Sequence, residues 1–397
     1  MPVRNAFVLL CSLLFCASAT AQFPLAAGPW YYDTSSPAVK IKVSVVVRGI
    51  ANPWGMAFLP DGNILIAEKA GQWRLIRDGQ LDPQPVSGAP VVRVAAGGGL
   101  MDLVLHPDFA SNRLVYFTYV KNAEPPAGER YYATTVLGRG RLNEAETALE
   151  NIVDVYAADA WSTQAGGHGS RLRFAPDGTL FMSSPFRRDF DNPQNMLSDI
   201  SKLLRLNDDG SVPSDNPFVG QEGYRPEIWS IGHRAIEGIV FHPVTGELWT
   251  SEHGPQGGDE VNIIRKGGNY GWPVVSYGRD YDGSRVSAIP WQEAMLQPEL
   301  FWVPSIATTG MMFYTGDQFP AWENNLFVGS LMTARVPGTG HIERIEFNTS
   351  GEQKREWLLE DLHQRFRDVQ QGSDGLIYVL TEEVDGALLV IEPVAEQ

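Results

Sequence analysis

The chain has 397 residues, with 31 Lys and Arg against 47 Asp and Glu, and its formal net charge is −16. An acidic surface repels phosphate backbones and anionic lipid headgroups, which argues against nucleic-acid binding and against attachment to an anionic membrane. The 40 glycines, 27 prolines and 11% aromatic residues, beside only 20% charged residues, favour a turn-rich all-β protein over a helical one.

The first predicted element is a signal peptide over residues 1–21. A single arginine and an apolar segment over residues 6–15 precede the small residues Ala19-Thr20-Ala21, which suit cleavage. The apolar segment is too short to span a bilayer and no later segment is apolar enough, so we expect no membrane insertion of the mature chain. We therefore expect export to a periplasm, with secretion as the alternative. A lipoprotein that carries lipid on Cys16 is a further alternative.

Both cysteines, Cys11 and Cys16, lie within this predicted signal peptide. Cleavage after Ala21 would leave a mature chain without cysteine, and therefore without disulfides or thiolate metal sites. No stretch of residues 22–397 has the composition of a linker, and we predict a single domain over that range.

One phrase recurs six times along residues 22–397: an apolar or aromatic residue, a short turn and then a short strand. The turns lie around positions 60, 107, 176, 243, 320 and 373. The most regular copies read Pro-Asp-Gly, in which Pro presets φ, Asp bonds its own backbone and Gly accepts a positive φ. Successive turns are far enough apart for about four strands and a loop, which is one propeller blade. The pattern predicts a six-bladed β-propeller, with a β-sandwich as the alternative.

The segment 251–262 combines glycines, a proline and acidic residues between two predicted strands. Carbonyl and carboxylate oxygens are the ligands that Ca²⁺ prefers, so this segment is a candidate cation site. The alternative is a solvated acidic loop. The glycines at 97–99 do not open a helix after a strand, so a nicotinamide cofactor is not supported.

His168 stands between glycines, which we expect to leave its imidazole accessible. A histidine of near-neutral pKa is the usual general base, and the alternative is a structural or merely exposed histidine. Arg365 and Arg367 alternate around Phe366, so in a strand both would face one side and could bind carboxylates together. The alternative for this pair is an inter-blade salt bridge.

Taken in order along the chain, these segments resemble the soluble PQQ-dependent aldose sugar dehydrogenases of the glucose/sorbosone dehydrogenase group. The matching phrases are 52–58, 98–102, Gly167-His168, Gly232-His233-Arg234, 253–260, 269–273, 303–307 and 365–369. The resemblance implies a six-bladed propeller with pyrroloquinoline quinone (PQQ) over the central channel and a Ca²⁺ ion against the quinone.

The resemblance also implies roles for individual residues. His168 would take the proton from the anomeric hydroxyl of an aldose while hydride passes from C1 to the quinone, which gives a lactone. Arg234 would stabilise negative charge at a quinone oxygen. The implied ligands are Arg234, Arg365, Arg367, Gly254 and Pro255 for the cofactor, and Gly254, Pro255, Glu260 and Tyr270 for calcium. The implied partners are a sugar substrate and an external electron acceptor.

The chain departs from the family pattern near the implied cofactor site. Ala235 and Glu237 replace polar residues after Arg234, and a glutamate facing the site would repel a carboxylated quinone. Met332 stands where the family has a lysine, with Arg335 nearby as a possible substitute, and the third-blade strand runs into Ser184-Pro185-Phe186 where the family has Gly-Asp. These departures keep a second hypothesis open, a non-catalytic propeller that no longer binds PQQ. A calcium-dependent propeller hydrolase acting on lactones is a third.

Overall fold

The computed structural model describes residues 23–35, 37–95 and 97–394. The predicted signal peptide and both cysteines lie outside these residues. The described residues form 25 strands, which pair into six antiparallel sheets. Among them no helix is long and apolar enough to cross a membrane.

Strands β1 (Trp30–Asp33) and β2 (Lys40–Ile50) precede the first complete blade. Blade 1 contains β3 (Pro53–Phe58), β4 (Ile64–Glu68), β5 (Gln72–Arg77) and β6 (Gln80–Leu81). Blade 2 contains β7 (Leu100–Leu105), the short helix α1 (Phe109–Asn112), β8 (Leu114–Asn122), β9 (Ala133–Leu142) and β10 (Leu149–Ala157). Blade 3 contains β11 (Leu172–Phe174), β12 (Leu180–Ser183), β13 (Leu203–Leu206) and β14 (Ile228–Ser230).

Blade 4 contains β15 (Ile236–Phe241), β16 (Leu248–Glu252), β17 (Asp259–Ile263) and β18 (Leu300–Trp302). Blade 5 contains β19 (Thr308–Phe313), β20 (Leu326–Ser330), β21 (Ile342–Asn348) and β22 (Gly351–Leu358). The chain ends with β23 (Phe366–Gln371), β24 (Ile377–Thr381) and β25 (Gly386–Pro393). Short 3₁₀ turns lie at Asn192–Gln194, Pro320–Trp322 and Glu360–Leu362.

The recurring turn joins the first strand to the second in all six blades, so the sequence repeat marks the same place in each. The chemistry of the turn is as predicted. The carboxylates of Asp61 and Asp177 each accept a hydrogen bond from the backbone N–H two residues later, at 3.1 and 3.0 Å. Gly62 and Gly178 have φ values of 91° and 84°, which a side chain would disfavour.

The sixth blade is built from both ends of the chain. Its strand order is β1-β2-β25-β24-β23, and β2 pairs with β25 from Ile41 opposite Pro393 to Ile50 opposite Gly386. The innermost strands β3, β7, β11, β15, β19 and β23 each contact the next around a ring that closes from β23 to β3. This confirms the predicted six-bladed β-propeller.

Apolar side chains fill the space between neighbouring blades. Trp73 of blade 1 packs edge-on against Phe117 of blade 2 with ring centroids 5.1 Å apart. A second cluster joins blades 5 and 6 and contains Trp322 and Phe366, both fully buried. Such aromatic side chains bury large apolar areas and fix how one blade lies on the next.

The innermost strands are irregular where they begin. Among the described residues, β3, β7, β15, β19 and β23 each shift register with the second strand of their blade near the first residues, whereas β11 does not. A β-bulge adds an unpaired residue and redirects its side chain. The residues inside these shifts include Trp54, Asp102, Glu237 and Arg367, and all four line the central channel.

Candidate active site

A cavity of about 180 Å³ opens where the innermost strands begin, and we call it the entrance cavity. His168, Arg234 and Arg367 all line it, although they are far apart in the sequence. Arg365 does not line it. Three of the residues that were predicted from the sequence to form one site therefore line the same cavity.

His168 is buried, with 6% of its surface exposed, so the expectation of an accessible imidazole is wrong. The glycines around it allow close packing instead. A Cβ atom on Gly98 would lie 2.5 Å from the Cβ of His168, and one on Gly169 would lie 2.4 Å from a carboxylate oxygen of Glu237. Any side chain at either position would displace the imidazole or the glutamate.

Two side chains from other segments hold the Nε2 atom of His168. The Tyr131 hydroxyl lies 2.6 Å from it, and the Nη1 atom of Arg187 also contacts it. A guanidinium has no acceptor, so Nε2 must accept, and the imidazole is neutral. Burial and the charge of Arg187 lower the pKa of His168 to about 2. This differs from the near-neutral pKa expected for a general base.

Arg187 is itself fixed by backbone groups. Its guanidinium donates to the carbonyls of Gly166 and Ser162, each at 3.2 Å, and its backbone φ is 57°. Neither Arg187 nor Tyr131 was among the predicted site residues. Their contact with His168 depends on loops far from it in sequence, and no local motif signals it.

Arg234 lies against the segment that was predicted to bind calcium. Its Nη1 atom donates to the carbonyls of His253 and Gly254 at 2.8 and 3.1 Å. Its guanidinium lies 4.5 Å above the ring of Phe186, one of the departures from the family pattern. Phe186 therefore supports this arginine through a cation–π contact.

Arg365 and Arg367 both bind Glu382, although Arg365 precedes β23 and Arg367 lies in its bulge and not in a regularly paired stretch. The Nη2 atom of Arg365 lies 3.2 Å from Oε2 of Glu382, and the Nε atom of Arg367 lies 3.0 Å from the same oxygen. Lys69 from blade 1 lies 3.4 Å from the other carboxylate oxygen. Burial would raise the pKa of Glu382, but these three cations lower it to about 2. Glu382 follows β24 of the same blade, so the inter-blade salt bridge is made by Arg367 alone, whose Nη1 atom lies 3.3 Å from Glu237 of blade 4.

Glu237 lines the entrance cavity beside these arginines. One of its oxygens lies 3.3 Å from Nη1 of Arg367. Burial raises the pKa of Glu237 to about 7, against the opposing effect of Arg367 and Arg171. A carboxyl group that is partly protonated near neutral pH repels an anionic ligand less than a full carboxylate does.

A layer of charged residues closes the floor of the entrance cavity, and we call it the plug: Asp102, Arg171 and Asp368. The Nη1 atom of Arg171 lies 3.1 Å from Asp102 and 3.2 Å from Asp368. Its guanidinium lies 4.4 Å from the ring of Trp54. Asp102 and Asp368 occur within the matching phrases, but only the fold shows that they meet.

The residues implied as calcium ligands do not form a complete shell. Tyr270 stacks on His233 with ring centroids 4.6 Å apart, and its hydroxyl donates to the Ile263 carbonyl at 2.7 Å. Glu260 lies outside the entrance cavity, opposite Glu252 in the β16–β17 ladder, and burial and Glu252 raise its pKa.

Several oxygens lie close to Gly254, but protein donors already engage them: the carboxylate of Asp259 accepts from the N–H groups of Gly254 and Ala307 at 2.8 and 2.7 Å. The carbonyl of Gly254 already accepts from Arg234, and Pro255 adds one more carbonyl. No group of three or more His, Cys, Asp or Glu in the described part of the chain is placed to hold a metal ion. Calcium takes six to eight oxygens, so these residues do not fit it on their own.

The same cavity fits a carboxylated cofactor better. The buried Nε of Arg234, which can only donate, has no hydrogen-bond partner among the described residues. Arg188, exposed at the cavity, likewise has no ion pair or hydrogen bond there. An unsatisfied buried polar group costs about 1–3 kcal/mol, which an anionic ligand would offset. The donor set therefore suits a molecule with carboxylates.

The chain belongs to the glucose/sorbosone dehydrogenase family, whose model matches residues 50–390. It is similar to the aldose sugar dehydrogenase YliI of Escherichia coli, with 36% identity over 364 residues, 90% of this chain and 94% of that one. The crystal structure of the soluble aldose sugar dehydrogenase of Escherichia coli in its apo form superposes with a TM-score of 0.83 and covers 89% of this chain and 100% of that one, at 36% identity.

A further relative is the quinoprotein glucose dehydrogenase B of Acinetobacter calcoaceticus. It is 28% identical over 289 residues, which span 67% of this chain and 59% of that one. The family suggested by the sequence motifs is therefore confirmed.

Proposed function

We propose that the protein oxidises the anomeric carbon of aldose sugars to lactones, with PQQ as the hydride acceptor. One observation carries this proposal: His168, Arg188 and Arg234 line a single cavity, and the buried Nε of Arg234 there lacks a hydrogen-bond partner among the described residues. Family membership supports it, as do the relatives named as aldose and glucose dehydrogenases.

Oxidation of an aldose at C1 removes a hydride from the carbon and a proton from its hydroxyl. PQQ, when bound, supplies the hydride acceptor. His168 accepts the proton at Nε2, the atom whose lone pair faces Tyr131 and Arg187. Arg234 and Arg188 bind acidic groups of the cofactor, and Arg234 stabilises negative charge that develops beside it. Arg367 can bind the cofactor only through N–H groups that do not already donate to Glu382 or Glu237.

Proton transfer to His168 requires a higher pKa than about 2, because a general base works best when its pKa is near the working pH. Two changes would raise the pKa. Anionic groups bound in the entrance cavity would stabilise the imidazolium, and withdrawal of Arg187 from Nε2 would remove the nearest positive charge. In this proposal Arg187 is a positioning residue that keeps His168 neutral until the ligands are bound.

The remaining parts of the proposal concern the chain as a whole. Residues 1–21 direct export to a periplasm, or secretion as the alternative, and residues 22–397 act as one domain. Electrons leave the reduced cofactor for an external acceptor of unspecified chemistry.

The test is to purify residues 22–397, titrate PQQ with and without Ca²⁺, and measure dye reduction with a panel of aldoses. We expect a saturable change in the PQQ spectrum and aldose-dependent turnover. Arg234→Gln should weaken PQQ binding at least 10-fold, whereas Arg265→Gln, at an exposed pair with Glu247, should not. A protein that shows neither the spectral change nor turnover refutes the proposal.

A non-catalytic propeller is the second candidate, and two contacts favour it. Glu382 neutralises Arg365 and Arg367, and Arg187 occupies Nε2 of His168. Both contacts use groups that sugar oxidation needs. This candidate predicts no spectral change on addition of PQQ, so the titration above separates the two functions.

A further inference from the structure

A second and larger cavity, of about 750 Å³, lies at the opposite end of the channel, where the innermost strands end. We call it the exit cavity. It shares no lining residue with the entrance cavity, and the three plug residues form part of its wall. None of the residues proposed for sugar oxidation lines it.

The exit cavity contains one arginine without a partner. Arg173 is the middle residue of β11, and Arg171 directly precedes that strand and still pairs with Ser183, so both side chains project from the same face, about 7 Å apart. Arg171 is held between two aspartates, but Arg173 has no ion pair or hydrogen bond to its side chain among the described residues. Its side chain is exposed to the channel.

The surroundings of this guanidinium weaken its hydration, although its side chain is exposed to the channel. Protein surrounds it on most sides, and the resulting desolvation lowers the pKa of Arg173, although Asp102 opposes the effect. Asp102 itself is engaged by Arg171 at 3.1 Å. A bound anion would give Arg173 the contact that the protein does not provide.

The walls around Arg173 limit what such an anion would be. Partly buried apolar residues line the exit cavity, including Phe58, Val104, Phe174 and Phe241. A single planar guanidinium matches one carboxylate with two parallel hydrogen bonds. A second negative charge would meet no free cation among the described residues that line this cavity, and it would face the two aspartates of the plug. The lining therefore favours one carboxylate on a carbon body.

We propose that the exit cavity binds a small organic monocarboxylate, with its carboxylate on Arg173 and its carbon body against the apolar wall that includes Phe174. Two kinds of molecule share this chemistry, an aliphatic acid and a polyhydroxy acid. The site is independent of the proposed sugar oxidation, because the plug separates it from the entrance cavity.

The experiment is isothermal titration calorimetry of residues 22–397 with sodium octanoate and, separately, with sodium gluconate. We expect saturable binding of one or both acids, and binding by only one identifies the kind of carbon body that fits. Arg173→Gln should weaken that binding at least 10-fold, since a hydrogen bond to a charged group contributes about 1.5–3 kcal/mol. Arg173→Lys should retain part of it.

The matched control is Arg188→Gln, which removes another exposed arginine without a described partner, but at the entrance cavity. This variant should bind the acid as the wild type does. The proposal is overturned if neither acid binds, if Arg173→Gln leaves the affinity unchanged, or if Arg188→Gln weakens binding as much as Arg173→Gln. PQQ titration reports on the other cavity, so failure here is distinguishable from failure of the proposed function.

Discussion

The two ends of the central channel use the same six strands but differ in regularity. At the entrance, register shifts redirect Trp54, Glu237 and Arg367 towards the axis, and the cavity is narrow and densely charged. At the exit the strands pair regularly and the cavity is wider, at about 750 against 180 Å³. The chemistry that was proposed for sugar oxidation lies at the irregular end.

The difference shows what a β-bulge contributes to a site. A regular strand places side chains on alternate faces, so neighbouring residues cannot all reach the channel. In β23 the bulge lets Arg367 bind Glu382 and Glu237 while Asp368, the next residue, joins the plug. Without the bulge, one of these two contacts would be lost.

The largest expected effect is a loss of stability, and it tests whether Glu382 holds the charged residues at the entrance cavity in place. Glu382→Gln would leave Arg367 and Arg365 without their shared carboxylate, and breaking a buried ion pair in this way costs about 3–5 kcal/mol. Urea unfolding of the mature protein measures this loss in the free energy of unfolding. Glu392→Gln, at a half-exposed pair with Lys42, should cost at most about 1 kcal/mol. Equal effects from the two variants would show that Glu382 does not hold this end together.

The pKa of Glu382 also predicts how the stability of the protein falls at acid pH. The pKa of Glu382 is about 2 in the folded protein against an ordinary value of 4.5. Its stabilisation is therefore complete above pH 4.5 and is lost as the pH falls towards 2.

A second prediction tests the entrance cavity by activity. His168→Ala should reduce turnover of the PQQ-loaded enzyme by roughly 10²-fold or more, the usual contribution of a general base, while PQQ still binds. His363→Asn provides the control, because His363 is an exposed histidine with φ of 55°, which Asn tolerates. Unchanged turnover in His168→Ala would place the base elsewhere.

The smallest effect concerns the pH dependence of stability. Burial raises the pKa of Glu237 to about 7, so this residue opposes folding increasingly as the pH rises from 4.5 to 7. The slope for one proton is at most about 1.4 kcal/mol per pH unit. Glu237→Gln should flatten the stability curve across this window. Glu144→Gln, at a largely exposed residue, should leave the slope as it is, and a matching change there would contradict the assignment to Glu237.

The sequence predicted the fold well because its signal is local. Each blade repeats one turn, and the residues that make the turn, such as Asp61 and Gly62, act on their own backbone. The pairing of β2 with β25 joins residues far apart in the chain, and no local pattern indicates it.

The candidate site was predictable only in part, because its contacts join residues from segments that are distant in the sequence. The alternation of Arg365 and Arg367 predicted that both face one side, but their partner Glu382 comes from the end of another strand. The environment of His168 depends on Tyr131 and Arg187, which reach it from separate loops. Spacing along the chain identifies residue types, whereas pKa values depend on neighbours that only the fold brings together.

The shared sixth blade also bears on how the protein reaches its folded state. Until β25 has left the ribosome, the 11-residue strand β2 has no partner on one long side, and the circle of blades stays open. Strand β25 thus completes the sheet to which β1 and β2 belong. Removing residues 386–394 would expose a long strand edge, and such edges promote aggregation.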